Sequence, residues 1–238
     1  MCQDFQCSYW CVSETRILVA CVNSLTNICL FMISTILYTI VYSIVDASFK
    51  RDCDKVLELT GEPSSFNKLV QFEVNRALCA KGLLLEEMFS YPQKYGENGI
   101  FLDGINSSQI AIHTAEFYYD LGYANETRHW ATEAQMLLVR HPVVLKQLVM
   151  SYIAIGQKKT ATKYLGVLQE SRLYHDWANR ILAEIEYNTI GEDPDIKFFR
   201  ENDPDFDFFA GTEDPVKKIR YFFYGNRSNK MAFDLLIA

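Results

Sequence analysis

Signatures of catalysis are missing from this 238-residue sequence: it holds no G-x-S-x-G elbow, no phosphate-binding G-x-x-x-x-G-K-[ST] loop, no G-x-G-x-x-G and no H-E-x-x-H. The four histidines, His113, His129, His141 and His175, never fall at i, i+4 or at ligand spacing from Cys or carboxylates. Satisfied core or surface roles are expected for them, and no metal or cofactor is predicted. Neighbouring carboxylates, Glu86 with Glu87 and Glu184 with Glu186, point in different directions on a helix and make no acid and base pair. Clusters of Lys and Arg are also lacking, which removes the general reason to expect nucleic acid as a partner. A disulfide framework is excluded by an odd total of seven cysteines without regular spacing; only Cys53 and Cys79 lie beyond residue 45. Strand signals are scarce too, since no hairpin turn sits between alternating segments. What remains is an all-α reading.

Charge is absent from one long stretch. Ile17 to Val45 are 29 consecutive residues without Asp, Glu, Lys, Arg or His, enough at about 1.5 Å per residue to exceed a hydrocarbon core of roughly 30 Å. Asp46 to Ala238 holds 28 of the 30 acidic and 22 of the 23 basic residues, a net charge of −6. The run is too long for a signal-peptide core and ends in Tyr38, Tyr42 and Phe49 rather than a small-residue cleavage site. Leu18 to Cys21 spells a lipobox, but the apolar run follows Cys21 instead of preceding it. A retained transmembrane helix over 17–45 is therefore predicted, in contact with the lipid bilayer, as in a bacterial inner membrane. Asn23, Asn27 and Ser34 share a face that suits contact with other membrane helices. Alternatively Asn23 to Asn27 lie among the headgroups and Ile28 to Val45 spans. Lys50, Arg51 and Lys55, against Arg16 alone on the other side, favour a cytoplasmic soluble domain.

Beyond the apolar run the chain repeats itself. Y-x-x-x-G occurs at Tyr118/Gly122, Tyr152/Gly156 and Tyr187/Gly191, with spacings of 34 and 35 residues. Leu145, Leu148, Tyr152, Gly156, Ala161 and Leu165 in one unit, and Ala115, Tyr118, Gly122, Ala131 and Ala134 in the one before, resemble the tetratricopeptide pattern. That resemblance implies an antiparallel helix-pair array, with small residues where helices meet and Leu and Tyr between neighbours. The expected organisation is a short segment 1–16, the membrane helix 17–45, a juxtamembrane linker or helix 46–65, the repeats 66–191, and an acidic, Phe-rich region of short helices 192–238. Within the repeats, 66–90 reads as a divergent pair turning at Gly82. The glycine-rich loop 91–104 tucks Ile100, Phe101 and Leu102 back onto the array.

In the last region Asp-Pro recurs at 193, 203 and 214, each a helix start with Asp capping and Pro in the first turn. Asp203, Asp205, Asp207 and Asp214 match calcium-loop spacing, but Phe208 stands where that loop needs Gly. The final residues, 229–238, stop in mid-pattern as though a longer chain continued.

Asn75-Arg-Ala-Leu-Cys-Ala-Lys-Gly-Leu-Leu, Met88-Phe, Gln93, Gly99-Ile-Phe, Tyr164-Leu and Leu173-Tyr-His-Asp-Trp resemble the C-terminal region of uncharacterised multi-pass membrane proteins of Bacteroidetes. In those proteins several apolar helices precede a tetratricopeptide-like domain. The expected function is a membrane-tethered scaffold that binds a protein or peptide on the concave face of the array, through Gln109, His113, Lys146 and Tyr152. A competing expectation is the non-catalytic tail of a multi-pass enzyme or transporter, with envelope glycan processing as an analogy.

Overall fold

The computed structural model describes residues 31–60, 67–102, 108–204 and 215–238, and every regular element among them is helical. Four helix hairpins and one further helix follow one another. The hairpins pair α1 (Phe31–Phe49) with α2 (Cys53–Leu59), α3 (Lys68–Lys81) with α4 (Leu84–Glu87), and α5 (Ser108–Asp120) with α6 (Ala124–Leu137). Next come α7 (Pro142–Ala154) with α8 (Lys158–Gln169), and then α9 (His175–Glu186), which packs on α8, while α10 (Pro194–Asn202) folds back onto α7. Of two further helices, α12 (Lys230–Ile237) packs beside α3 and α4, and α11 (Pro215–Gly225) packs on α12 and sets Phe222 against Phe117 and Tyr118 of α5.

The first helix of every hairpin, and α9 after them, ends in the same way. A left-handed residue follows the last turn, at Arg51, Gly82, Gly122, Gly156 and Asn188, separated by 31, 40, 34 and 32 residues. Its N–H and that of the next residue close back onto the final turn, as Gly122 N to Tyr119 O at 3.0 Å and Tyr123 N to Tyr118 O at 2.9 Å. The same two bonds recur from Arg51 and Asp52, Gly82 and Leu83, Gly156 and Gln157, and Asn188 and Thr189. These bonds satisfy carbonyls that a helix end leaves unpaired, and they turn the chain sharply.

Here the structure corrects the repeat phase. Tyr187 and Gly191 are not a third copy of Tyr152 and Gly156: Tyr187 is 75% exposed, Gly191 lies in a short 3-10 turn, and Asn188 takes the left-handed position. Asn tolerates that conformation better than most residues, so the turn survives without its glycine.

The array grows by parallel stacking of first helices. Arg51 lies 3.4 Å from Asp120 at the end of α5, Arg76 of α3 meets Glu116 and Asp120 of α5, and Gln147 of α7 donates to Ile112 O of α5 at 3.3 Å. Ala115, Ala131, Ala134 and Ala161 are fully buried, the small side chains that let α5 to α8 approach closely. Asp193 caps α10 by accepting from Asp195 N and Ile196 N, with Pro194 in the first turn. At the second Asp-Pro, Asp203 caps the end of α10, and the residues after Pro204 lie outside the described ones; the third is followed by α11, which begins at Pro215. Ile100, Phe101 and Leu102 are buried against α3, α5 and α11.

α1 lives in two environments. Ile44, Ala47 and Ser48 are buried with the core, whereas Phe31, Met32, Ile33, Ile36 and Tyr38 are exposed. The final turns of the apolar run are thus core of the array, and only the part before about Ile40 stands clear. Ser34 is exposed on that free part, while Asn23 and Asn27 lie outside the described residues.

Two glycines separate local strain from packing. A Cβ on Gly156, at φ +80°, meets nothing within 4 Å, but one on Gly122, at φ +78°, falls 2.4 Å from Asn202 Cβ of α10. Gly156→Ala should lower the unfolding free energy by about 1 kcal/mol, the cost of the left-handed conformation alone. Gly122→Ala should cost about 2–3 kcal/mol because α10 must also move. Urea unfolding followed by circular dichroism in detergent measures both; equal losses would show that α10 does not pack on this turn.

Candidate functional site

The interior of the first three hairpins is unusually polar. Ten consecutive residues of α3, Val70 to Cys79, are buried, and they include Gln71, Glu73, Asn75 and Arg76. A buried polar group needs partners, and each of these side chains has at least one, although the Gln71 amide nitrogen has none among the described residues. Asn75 and Gln93 exchange amide hydrogen bonds at 3.0 and 3.2 Å, and Asn75 Nδ2 also donates to Gly99 O at 3.4 Å. Gln71 Oε1 accepts from Tyr95 N at 3.1 Å, and its amide lies against Gly99, where a Cβ would come within 1.7 Å. Asn75, Gln93 and Gly99 of the resemblance are therefore one structural knot.

The ionised groups form a second network. Arg76 donates to Asp120 Oδ2 at 2.6 Å and to Glu73 Oε2 at 2.9 Å, lies 3.6 Å from Glu116, and reaches Ser48 O at 3.4 Å. Ser48 Oγ donates to Glu73 Oε2, and His113 Nδ1 sits 2.6 Å from Glu73 Oε1. Phe49 stacks on the His113 ring at 4.8 Å. Gln147 Nε2 donates to Glu116 Oε1 at 2.7 Å. At the network's edge Arg51 lies between Asp120 and Asp195 and over the Tyr119 ring, whose hydroxyl donates to Asp195 at 2.8 Å.

Burial opposes charge at Glu73, Arg76, Glu116 and Tyr119. It would raise the Glu73 carboxyl, but Arg76, with His113 and Ser48, overrides it and holds Glu73 down to about 2. Burial likewise works against the Arg76 cation, yet Glu73, Asp120 and Glu116 keep it charged, above its ordinary value. Glu116 goes the other way: burial, with Asp120 beside it, lifts it above the usual carboxylate range despite Arg76. Tyr119 is also pushed well up, by burial and then by Asp195, and stays a phenol that donates.

A cavity of about 750 Å³ opens beside this network, between the end of α1, α2, α3, α10 and α12. Arg51, Asp120 and Asp195 contribute to its lining, as do Lys81, Lys230 and both Cys53 and Cys79. Burial raises both thiols, Cys79 strongly, so neither is a ready thiolate nucleophile. Ser48 is no activated nucleophile either: its hydroxyl donates to a carboxylate that, at about 2, is too weak a base to take the proton. Among the described residues no three His, Cys, Asp or Glu side chains are set to hold a metal ion. Asp205, Asp207 and Asp214 of the calcium spacing lie outside them.

Of the four residues expected to line a groove, the three whose side chains are described are not brought together as one. His113 is buried inside the charge network. Lys146 places its ammonium 5.7 Å from the Trp177 ring, and Tyr152 stacks on Tyr164 at 5.7 Å. Gln109 is in the first turn of α5, and its side chain lies outside the described residues. The network itself escaped a reading that sought chemistry within single helices. Counted back nine positions from each left-handed residue, Glu73, His113 and Gln147 are equivalent; six back, so are Arg76 and Glu116. Complementary charge at equal register in successive first helices was the available signal.

The network should make the fold acid-sensitive. Glu73 falls from a reference value of 4.5 to about 2, so its contribution is complete above pH about 4.5 and is lost as pH drops towards about 2. That shift corresponds to about 3 kcal/mol. Glu116, raised, has the opposite sign and offsets part of the loss. Glu73→Gln should destabilise the chain at pH 7 by a similar amount and flatten the decline between pH 5 and 3, as read by urea titrations at each pH. An unchanged acid limb in the variant would rule out Glu73 as its source.

No curated protein and no solved structure matches this chain. A family of unknown function, DUF6057, matches residues 7–238, which takes in both the apolar run and the array. The chain belongs to that family.

Proposed function

We propose that the chain is a membrane-anchored helical-repeat scaffold that holds a protein or peptide partner. One observation carries this reading: the uncharged run Ile17–Val45 is longer than a hydrocarbon core requires, and its last turns are packed as the first helix of the array. An array joined in this way follows its anchor as one body, which suits the presentation of a partner close to a membrane surface. Hairpins recurring at 31 to 40 residues support kinship in design with tetratricopeptide arrays, whose stacked units offer extended binding faces.

Two features could receive the partner. Lys146 on Trp177 and Tyr152 on Tyr164 give the α7 to α9 face a half-buried aromatic surface of the kind peptides cover. The cavity of about 750 Å³ is large enough for several side chains of a bound segment. The exposed part of α1, Ser34 included, is left for lipid and for other membrane helices. Lys50 and Lys55, against Arg16, support a cytoplasmic array, although Arg51 is engaged by Asp120 and Asp195.

Alkaline carbonate washing of membranes from cells making the full chain should leave it in the pellet. Ile33→Lys combined with Ile36→Lys should move it to the supernatant with its unfolding transition intact. Wild-type protein in the supernatant would sink the anchor. For the scaffold, a stoichiometric partner should co-purify from solubilised membranes at native expression and be lost on Lys146→Glu without a change in melting temperature. Purification of the chain alone under those conditions would remove the scaffold reading.

A further inference from the structure

The parallel first helices fix which edge of the array lies nearest the free part of α1. All of them start at one edge and end at the other, so the loops joining successive hairpins lie at the edge from which α1 emerges. The height of that edge follows from the Arg51–Asp120 contact of 3.4 Å. Ser108, where α5 begins, is 12 positions before Asp120, about 18 Å along the helix. Twelve positions before Arg51 is Thr39, beside the exposed Tyr38. Burial agrees, since α1 is exposed almost throughout up to Thr39 and joins the core from Ile40.

The loops at this edge carry side chains that water does not favour. Met136 and Leu137 end α6, and Val139 follows them; they are 75%, 66% and 66% exposed. In the next inter-hairpin loop Leu173 is 87% exposed. Arginine accompanies each set, Arg140 in the first loop, paired with Glu170 at 3.3 Å, and Arg172 in the second. Apolar side chains beside arginines whose stems can bury while their heads stay wet suit the headgroup region of a bilayer. The opposite edge exposes Arg51, Asp52, Gln157, Lys159 and Asn188 and is the more polar of the two, although Tyr187 and, past the Gly82 turn, Leu85 and Phe89 are exposed there as well.

We infer that the edge bearing the 138–141 and 170–174 loops rests on the interface of the bilayer that α1 enters, with Met136, Leu137, Val139 and Leu173 dipping to the acyl boundary. The inference depends on α1 being a membrane span. The occupant is lipid, not protein, because this edge is continuous with the emerging apolar helix and level with its interfacial Tyr38. Ile17 to Leu37 then supplies 21 uncharged residues for the crossing, about 31 Å if helical, which matches a hydrocarbon core without the surplus of the full run.

Photocrosslinking tests this on the full chain reconstituted in vesicles of radiolabelled phosphatidylcholine. The photoreactive p-benzoylphenylalanine is introduced singly at Ile33, Leu137, Leu173, Gln157 or Lys159, with melting temperature as a check on folding. Lipid adducts should form at Ile33, Leu137 and Leu173, roughly tenfold above those at Gln157 and Lys159, in line with burial of an apolar side chain at the interface. Adducts at Ile33 but not at Leu137 and Leu173 would overturn the docked edge and leave the anchor standing. Absence of adducts at Ile33 would overturn the anchor and the inference with it. Equal labelling at both edges, or protein adducts in place of lipid at Leu137, would also overturn it.

Discussion

The Arg76 guanidinium is the group on which the first half of the structure depends. A buried cation is tolerated only when its partners replace water, and Arg76 has Glu73, Asp120, Glu116 and the Ser48 carbonyl around it. Those partners come from α1, α3 and α5, and Gln147 extends the set to α7. Apolar packing would hold these helices together in several registers, because dispersion and the hydrophobic effect are nearly indifferent to sliding by one turn. The network is not indifferent: moving α3 by one turn against α5 would leave a charge buried and unpaired, at a cost of several kcal/mol. Register in this array is therefore an electrostatic property laid over a hydrophobic one.

The hairpin ends were partly legible in the sequence, for a reason that also explains the error in phase. Gly82, Gly122 and Gly156 take the left-handed residue in the form the sequence makes visible, and the divergent pair turning at Gly82 and the units at 118–122 and 152–156 follow from them. Arg51 and Asn188 hold the same conformation without glycine, so nothing in their identity announced a turn. Gly191 supplied a coincidence at nearly the right spacing and drew the repeat three residues too far. A backbone requirement met by an untypical residue is invisible to pattern, though the two hydrogen bonds that close each turn are the same.

Side-chain chemistry was less legible. His113 was expected on a concave surface because it sits on a first helix, yet the ring is buried between Phe49 and Glu73. Its partner is 40 residues away, one repeat earlier, and repeat register is the only route from one to the other. Lys146 and Tyr152 keep more exposure, but each lies against an aromatic ring contributed by a following helix, Trp177 or Tyr164. Reading single helices assigns faces; it does not say which face the next hairpin will cover.

The apolar run from Ile17 to Val45 shows the same limit from the other side. Hydropathy reports that a segment avoids water, and it cannot distinguish the two phases that shelter it, lipid and protein interior. At about 43 Å as a helix, the run is longer than one hydrocarbon core requires. Tilt would absorb the excess in an isolated span. Here the excess has a different destination: Ile44 and Ala47 are buried by α2, α3 and α5, and Ser48 reaches Glu73. The boundary between the part of the run that stands clear and the part packed into the core carries no charge or proline to mark it, because a bilayer and a protein core would select the same side chains. It is set by where the neighbouring helices begin, some 18 Å along the axis from the Arg51–Asp120 contact that sets their level.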